Sequence, residues 1–422
     1  MTSAAKRAVA GTITAASFHG SMVAAAGGFA FLAGTAIDAS GGLAPEARPP
    51  EPYRSSAAAQ AQAQARHLFG RLDTLLPEVG SSVADIVAIE QYVRRKVHAD
   101  PYFKVATGKD YLGKAVPVAA TAQVGEYVPA DAVVAVTGLA VVPDGSPELV
   151  KSSPDGAAGA SNRKFSEVVV AGPYMFTTLF PSDRRSGLPE TARTPAWIWS
   201  GSEIGAEVRW ALKELEGRLA TVGASFDDIV DYTLFLTDAG DLYEFDEALR
   251  SVIGAGAPSR TVIPSLGYAL PRREGAFGHA DGAPRMEVQL RVRRPGAAEE
   301  RRVVDGPEVG AGFQSAGVRV GPLLWLSSQT ADPGRRGGDV RAEVDDALGR
   351  LDATCRNAGT DLSGLLRVRA LLTSAEHAGA FTEALRAAIP SDPPAVCVVV
   401  VPSALPVTDA RVAVDGVAFV AP

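Results

Sequence analysis

The chain has 422 residues, a formal net charge of −7 and 46% hydrophobic residues. This apolar content is enough for packed cores and excludes a largely disordered chain. The acidic balance argues against a nucleic-acid surface or a face that binds anionic membranes. Two cysteines exclude a disulfide framework and a multi-cysteine zinc site, and no apolar run is long enough to span a membrane. We therefore expect a soluble, cytoplasmic protein without a metal or cofactor.

The same order of predicted elements occurs three times along the chain. Each copy begins with an apolar hairpin, whose turn lies at residues 27–28, 172–173 or 321–322. A helix follows, because apolar residues recur at steps of four, three and four, which keeps them on one face of an α-helix. The three apolar stripes are Ala65, Phe69, Leu72 and Leu76; Val208, Leu212, Leu215 and Leu219; and Val344, Leu348, Leu351 and Cys355.

A glycine stands four residues beyond each stripe, at Gly80, Gly223 and Gly359. We predict that each glycine ends its helix in left-handed backbone, which glycine adopts without a steric penalty. A strand with one apolar face comes next, then a second helix, and then two more strands. These elements are marked in the three copies by Ile86, Ile229 and Leu365; by Phe103, Phe245 and Phe381; and by Val136, Val288 and Val414.

The copies, of roughly 125 to 150 residues each, are too long for a solenoid repeat, so we predict three homologous α+β domains. Their boundaries are residues 1–148, 149–297 and 298–422. Helices on one face of a small sheet leave the other face apolar, and that face must be covered. Three sheets that face one another, with their helices outside, would cover all three faces.

Two charged residues distinguish the middle copy from the others. Arg260 has the apolar counterparts Ala119 and Val396, and Glu287 is replaced by alanine in both other copies. A charge on a strand that faces a core is costly unless it is paired. One interpretation is a structural salt bridge between the two side chains. The other is a cleft in which Arg260 anchors a carboxylate and Glu287 holds water and relays protons.

The chain resembles the reactive-intermediate deaminase (Rid/YjgF) family, three times over. The resemblance lies in the Pro-Ser-Arg sequence that ends at Arg260, in Glu287 on the final strand, and in the Ser-Ser-Gln sequence at residues 327–329. Members of that family are homotrimers of a chorismate-mutase-like α+β fold, with ligand clefts between subunits. The resemblance implies a trimer fused into one chain, an intramolecular pseudo-trimer with its sheets inside and its helices outside.

The resemblance also implies hydrolysis of an imine or enamine to a keto acid and ammonia. Arg260 would hold the substrate carboxylate, and Glu287 would position the attacking water. A neighbouring domain would complete the cleft, through Ser327, Ser328 and Gln329 or through Gly34 and Thr35. The cysteine that often follows the arginine in this family is Val262 here, and the first and third copies would have degenerate sites.

Longer connections in the middle copy suggest a roofed pocket for a larger substrate. One connection carries Trp197 and Trp199, and another carries His279 shortly before Glu287. We consider the tryptophans as substrate contacts and His279 as a general base, with ordinary loop decoration as the alternative. Tyr174 and Thr178, on the hairpin of the same copy, complete the candidate binding residues.

Three functions are compatible with this sequence. The first is an imine or enamine deaminase with a specialised substrate. The second is a non-hydrolytic cyclase that acts on an unstable amino-keto acid in specialised metabolism, and the third is a noncatalytic ligand-binding protein. We expect a small carboxylate as the partner, no nucleic acid or membrane, and a chain that is monomeric or weakly dimeric.

Overall fold

The computed structural model describes residues 8–144, 165–182, 188–194, 202–254, 256–267, 284–308 and 312–421. These residues form mixed β-sheets with α-helices packed against them. The elements of the first copy are β1 (Ala8–Ala10), β2 (Ile13–Ala15), β3 (Phe18–Gly20), β4 (Val23–Ala26), β5 (Phe29–Thr35), α1 (Ala57–Leu75), β6 (Ile86–Val93), α2 (Lys96–Ala106), α3 (Leu112–Ala115), β7 (Val118–Gln123) and β8 (Val134–Val141).

The middle and third copies continue the numbering. The elements of the middle copy are β9 (Val168–Ala171), β10 (Tyr174–Leu179), α4 (Glu203–Ala220), β11 (Ile229–Leu236), α5 (Leu242–Arg250), β12 (Ser259–Pro264) and β13 (Met286–Arg293). Those of the third copy are β14 (Arg301–Val304), β15 (Gly317–Val320), β16 (Leu323–Gln329), α6 (Val340–Asn357), β17 (Leu365–Leu372), α7 (Ala378–Ala388), β18 (Ala395–Val400) and β19 (Val412–Phe419).

Each copy builds one large sheet, and these three sheets share a strand order, while β2 and β3 of the first copy pair in a separate two-stranded sheet. The order is β4-β5-β8-β6-β7 in the first copy, β9-β10-β13-β11-β12 in the middle copy and β15-β16-β19-β17-β18 in the third. In each sheet the last pair of strands is parallel, and the other pairs are antiparallel. Strands β1 and β14 extend the first and third sheets. The predicted order of elements is therefore confirmed in every copy.

The predicted helix stripes and their glycines are confirmed. The stripe residues are buried in the helix-facing cores, apart from the partly buried Leu212. Gly80, Gly223 and Gly359 have φ values of 79°, 70° and 91°. An L side chain is strained in this left-handed region, which is why glycine occupies a position in the turn that follows each first helix.

The strand that follows the first helix of each copy is more buried than its near-alternating sequence indicates. Every residue of β6, β11 and β17 is buried. One face of each strand packs against its own helices. The other face contributes to a core shared by all three sheets. A strand covered on both faces has no solvent-facing side, so its polar residues must find partners inside the protein.

Aromatic rings from the three sheets meet in the shared core. The ring of Trp325 on β16 lies 6.0 Å from that of Phe31 on β5 and 5.8 Å from that of Tyr174 on β10, both edge to face. The Trp325 indole donates a hydrogen bond to the Tyr174 hydroxyl (3.2 Å), which donates to the Val320 carbonyl (3.1 Å). These contacts fix the three sheets relative to one another.

Buried ion pairs also join the three sheets within the shared core. Glu90 on β6 accepts from Arg291 on β13 (2.8 Å) and from Arg369 on β17. Arg369 and Arg367 both bind Asp415 on β19, each at 2.7 Å. The pairs of Glu90 connect the first sheet to the other two, whereas the pairs of Asp415 lie within the third sheet.

Three interfaces between copies follow from the packing of sheet edges. We call the contact of β7 with β10 the first interface, that of β12 with β16 the second interface and that of β18 with β5 the third interface. Each joins the parallel edge strand of one copy to the hairpin of another. In the part of the chain that the structure describes, no helix is long and apolar enough to cross a bilayer.

Candidate functional site

Arg260 is buried at the second interface, where contacts from both sides hold it. Its backbone N–H donates to the Ser327 hydroxyl (2.8 Å), and its Nε donates to the Gln314 side-chain oxygen (3.1 Å). A terminal nitrogen of its guanidinium pairs with Asp246 on α5. Asp246 also accepts from the Phe313 backbone N–H at 3.0 Å. The guanidinium is therefore neutralised by a carboxylate of its own copy and faces the third copy.

Glu287 lies at the first interface. One of its carboxylate oxygens accepts a hydrogen bond from the Thr121 backbone N–H of β7 at 3.2 Å. Burial raises the pKa of Glu287 to about 8, the nearby charge of Glu90 adds to the shift, and the bond from Thr121 opposes it. This side chain is therefore mostly protonated at neutral pH and belongs to the contact between the first and middle copies.

The prediction that Arg260 and Glu287 share one crevice is wrong. Arg260 lies opposite Tyr232 on β11, whose ring packs in the helix-facing core. Glu287 lies opposite Phe235, which belongs to the shared core. Directly opposed residues share a face of the sheet, so the two charged side chains point to opposite faces. Two strand spacings and three residues separate them, or about 14 Å between Cα atoms.

The alternative prediction of a salt bridge between these residues is also wrong, since Arg260 pairs with Asp246 instead. Each interface brings together the position equivalent to Arg260 from one copy and the position equivalent to Glu287 from another copy. At the second interface these are Arg260 and Ala413. At the first interface Glu287 faces β7, which carries Ala119. The charged pair of the middle copy is thus divided between two interfaces.

A cleft lies beside Arg260 at the second interface and has a cavity volume of about 60 Å³. We call it the arginine cleft. The lining residues that carry polar groups are Arg260, Glu308, Gln314, Ser328, Gln329, Thr330, Arg336 and Arg350. Its apolar wall is formed by Leu242, Val262, Leu405, Pro406, Val407 and Ala413. Three guanidinium groups from two copies therefore border one small cavity.

Gln329 lines this cleft and carries a buried hydrogen-bond donor. Its side-chain oxygen accepts from Nε of Arg350 at 3.3 Å. Because an arginine only donates, this contact fixes the orientation of the amide. The amide nitrogen of Gln329 is buried and has no hydrogen-bond partner among the described residues. A buried amide donor is costly when it is unpaired, so this atom is suited to an acceptor that a ligand supplies.

The other predicted site residues occupy different places. Ser327 joins β12 to β16, because its hydroxyl accepts from Arg260 and donates to the Ser315 carbonyl. Ser328 and Gln329 line the arginine cleft. Gly34 and Thr35 lie on β5, which packs at the third interface. The neighbour of Arg260 is therefore the third copy.

Two candidate binding residues are not in the arginine cleft. Tyr174 is fully buried in the shared core, where Trp325 and Val320 use its hydroxyl; its prediction as a substrate contact is wrong because no surface of its ring is free. Thr178 accepts from Gln289 beside β6 of the first copy. Trp197, Trp199 and His279 lie outside the described residues.

Sequence reasoning missed the groups that support Arg260 and Gln329. Asp246 lies on the second helix of its copy and Arg350 on the first helix of the third copy. Both stand one residue away from an apolar position of the helix pattern, next to Phe245 and Leu351. A charge that flanks the apolar stripe of a helix usually faces solvent, so this spacing indicated a role for the two residues only weakly.

Neither a family model nor a curated protein sequence gives a significant match to the chain. Among solved structures, a chorismatase covers 79% of this chain and 93% of its own, with 13% identity and a TM-score of 0.51. A YjgF/YER057c/UK114-family protein from Mycobacterium tuberculosis covers 29% of this chain and 100% of its own, with 27% identity and a TM-score of 0.25. The RidA of an Antarctic Psychrobacter covers 28% and 99%, with 24% identity and a TM-score of 0.26. The chorismatase similarity shows a shared α+β fold.

Proposed function

We propose that this chain is an enzyme that acts on a small carboxylate-bearing molecule in the arginine cleft. The observation that carries the proposal is that one cavity is lined both by a buried arginine, Arg260, and by Gln329, whose buried amide nitrogen has no hydrogen-bond partner among the described residues. Both groups donate hydrogen bonds, and a carboxylate accepts several at once. Similarity in fold to a chorismatase supports a role in small-molecule chemistry.

The chemistry we propose is hydrolysis of an imine next to the bound carboxylate. Water adds to the C=N carbon, the nitrogen takes up a proton, and the resulting carbinolamine releases ammonia and leaves a keto acid. Among the residues that line the arginine cleft, Glu308 is the one that carries a carboxylate, and Ser328 carries a hydroxyl. We assign proton transfer with the water to Glu308, because a carboxylate at the cavity wall is a suitable general base.

Glu287 has no part in this mechanism, because its carboxyl group faces the first interface. We propose that the three copies are Rid-like domains, with boundaries at residues 1–148, 149–297 and 298–422, fused as an intramolecular pseudo-trimer. The matching strand orders and the three edge contacts support that arrangement. In it, only the second interface keeps the arginine that anchors a carboxylate.

The test follows ammonia release from freshly generated 2-iminopropionate and from larger imino acids. We expect Arg260→Ala to lower kcat/KM about 10- to 100-fold, the scale of a lost charge-assisted hydrogen bond. Gln329→Leu should lower it less, and Arg302→Ala, on an exposed pair with Glu300, should not change it. If every imine decays at the uncatalysed rate, the hydrolytic proposal is refuted.

Two further variants distinguish catalysis from folding. Removal of Arg260 alone leaves Asp246 buried without its cation, which is destabilising. The double variant Arg260→Ala with Asp246→Ala removes both charges, so it should fold and still lack activity. Glu287→Gln tests the assignment of the cleft: a loss as large as that of Arg260→Ala would show that the chemistry takes place at the first interface.

A non-hydrolytic cyclase is our second candidate function, because the same cleft would bind an amino-keto acid through its carboxylate. In that case the protein would convert such a compound without release of ammonia. Product analysis by mass spectrometry separates the two reactions, since hydrolysis replaces NH by O and cyclisation removes water. A protein that binds the carboxylate and converts neither compound would be a ligand-binding protein.

A further inference from the structure

We propose that the substrate of the arginine cleft carries a second carboxylate, which Arg336 binds. The inference rests on the proposed function, because it concerns the same cavity. Arg260 and Gln329 account for one acidic group. Arg336 borders the cavity from a different element, the loop between β16 and α6 of the third copy. A ligand that reaches both arginines therefore needs an acidic group at each end.

The charge balance of the cleft distinguishes Arg336 from the other two arginines. Arg260 pairs with Asp246, and Arg350 pairs with Asp332. Within the described ranges, the salt bridges include no carboxylate partner for Arg336. Glu308 also lines the cavity, but its backbone carbonyl is the group that contacts an arginine, namely Arg350.

The two terminal nitrogens of the Arg336 guanidinium form only long hydrogen bonds, whereas its Nε forms a short one. Its Nε donates to the Ala331 carbonyl at 2.8 Å. Its terminal nitrogens lie 3.5 Å from the Thr408 carbonyl and from the Thr330 hydroxyl, at the outer limit of a hydrogen bond. An incoming carboxylate would form shorter, charge-assisted bonds with these nitrogens, and the hydroxyl of Thr330, which also lines the cavity, would add a donor.

The loop that carries Arg336 is fixed to the body of the third copy. The Gly337 backbone N–H donates to Glu343 on α6 at 2.8 Å. Glu343 in turn binds Arg411 just before β19, and Arg411 also donates to the Gly338 carbonyl. A guanidinium on a braced loop loses little freedom when it binds a ligand, which favours a specific subsite over a mobile surface charge.

The experiment measures binding of product-like keto acids to the full chain by titration calorimetry. The probes are 2-oxobutyrate, with one carboxylate, and 2-oxoglutarate, with two. We expect 2-oxoglutarate to bind at least 10-fold more tightly. Arg336→Ala should abolish that preference and leave 2-oxobutyrate binding unchanged, and Arg336→Lys should keep part of it.

Arg335→Ala is the matched control, because this neighbour on the same loop is exposed and pairs with Asp346. It should leave both affinities unchanged. Phosphoenolpyruvate tests whether the second group is a phosphate: tighter binding of this probe than of 2-oxoglutarate, lost in Arg336→Ala, would replace the second carboxylate with a phosphate and refute that part of the proposal.

The outcomes separate this inference from the proposed function. Equal binding of 2-oxobutyrate and 2-oxoglutarate, or an equal loss of both in Arg336→Ala, would overturn the second subsite and leave the first intact. If neither probe binds, or if Arg260→Ala with Asp246→Ala binds both as well as the unmodified chain, the carboxylate site itself is refuted. The thermal midpoint of each variant is recorded so that an unfolded protein is not counted as a binding defect.

Discussion

Glu287 is a carboxyl group that the fold keeps away from water. Burial raises its pKa to about 8 from an ordinary value of 4.5. A raised pKa means that the folded state binds the proton more tightly than the unfolded state. The resulting stability is complete below about pH 4.5 and is lost as the pH rises to about 8. The residue therefore makes the protein less stable in mild alkali.

Glu287→Gln should remove this pH dependence. Glutamine cannot ionise, and its side-chain oxygen can still accept from the Thr121 N–H. We expect the free energy of unfolding to be nearly unchanged at about pH 4 and higher by about 2–5 kcal/mol at about pH 8. Urea unfolding at both pH values measures it, with the exposed Glu383→Gln as the control. A variant that is less stable at pH 8 would contradict the prediction.

The side-chain amide of Gln329 depends on Arg350 for its orientation. The guanidinium orients the amide so that its nitrogen has no protein partner. Arg350 acts through Gln329, so we expect Arg350→Ala to raise the KM for the carboxylate substrate about 10-fold with little effect on kcat. Steady-state kinetics with the imine substrate test this. A fall in kcat with an unchanged KM would assign Arg350 to the chemical step instead.

At the scale of elements, each first helix is tied to the start of the final strand of its copy. Gln64 on α1 accepts from the Val133 N–H at 2.8 Å. Glu207 on α4 accepts from the Arg285 N–H at 2.9 Å, and Glu343 on α6 accepts from Arg411. The same contact in three copies fixes the distance between helix and strand.

We expect Glu343→Ala to destabilise the protein by about 2–4 kcal/mol, since the change breaks a buried charge pair and leaves backbone donors unpaired. Thermal and urea unfolding give the magnitude. Glu383→Ala, an exposed change on α7, is the control and should alter stability by less than about 0.5 kcal/mol. Equal effects of the two changes would argue against the helix–strand contact.

At the scale of the whole molecule, the ion pairs of the shared core join the copies. Burial alone would raise the pKa of Glu90, but the charges of Arg369 and Arg291 hold it well below its usual range. Glu90 therefore stays ionised at neutral pH, and its contribution to stability is complete above its ordinary pKa of 4.5 and is lost progressively as the pH falls below that value. Because the paired charges differ from copy to copy, three identical chains could not form the same set of contacts.

Glu90→Gln should lower the free energy of unfolding by about 2–4 kcal/mol at pH 7, since it removes one of the two charge partners of each buried arginine and leaves Arg291 with Asp231 and Arg369 with Asp415. Denaturant unfolding measures the loss. Sedimentation equilibrium of the unmodified chain should give the mass of one chain or of a weak dimer. A stable homotrimer of this chain would contradict closure of the three sheets on one another.

The sequence by itself determined the order of helices and strands along the chain. Periodic apolar spacing and helix-ending glycines are local signals, and they predicted the helices ending before Gly80, Gly223 and Gly359. The sequence also distinguished Arg260 and Glu287, because the equivalent positions elsewhere in the chain carry apolar residues.

Only the tertiary structure decided which partners these residues have. A strand places successive side chains on opposite faces, and sheet edges from different copies meet in pairs that no local spacing encodes. Arg260 consequently faces the third copy and Glu287 the first. The contacts of Asp246, Gln329 and Arg336 likewise depend on chain segments far apart in sequence, and packing of whole sheets brings those segments together.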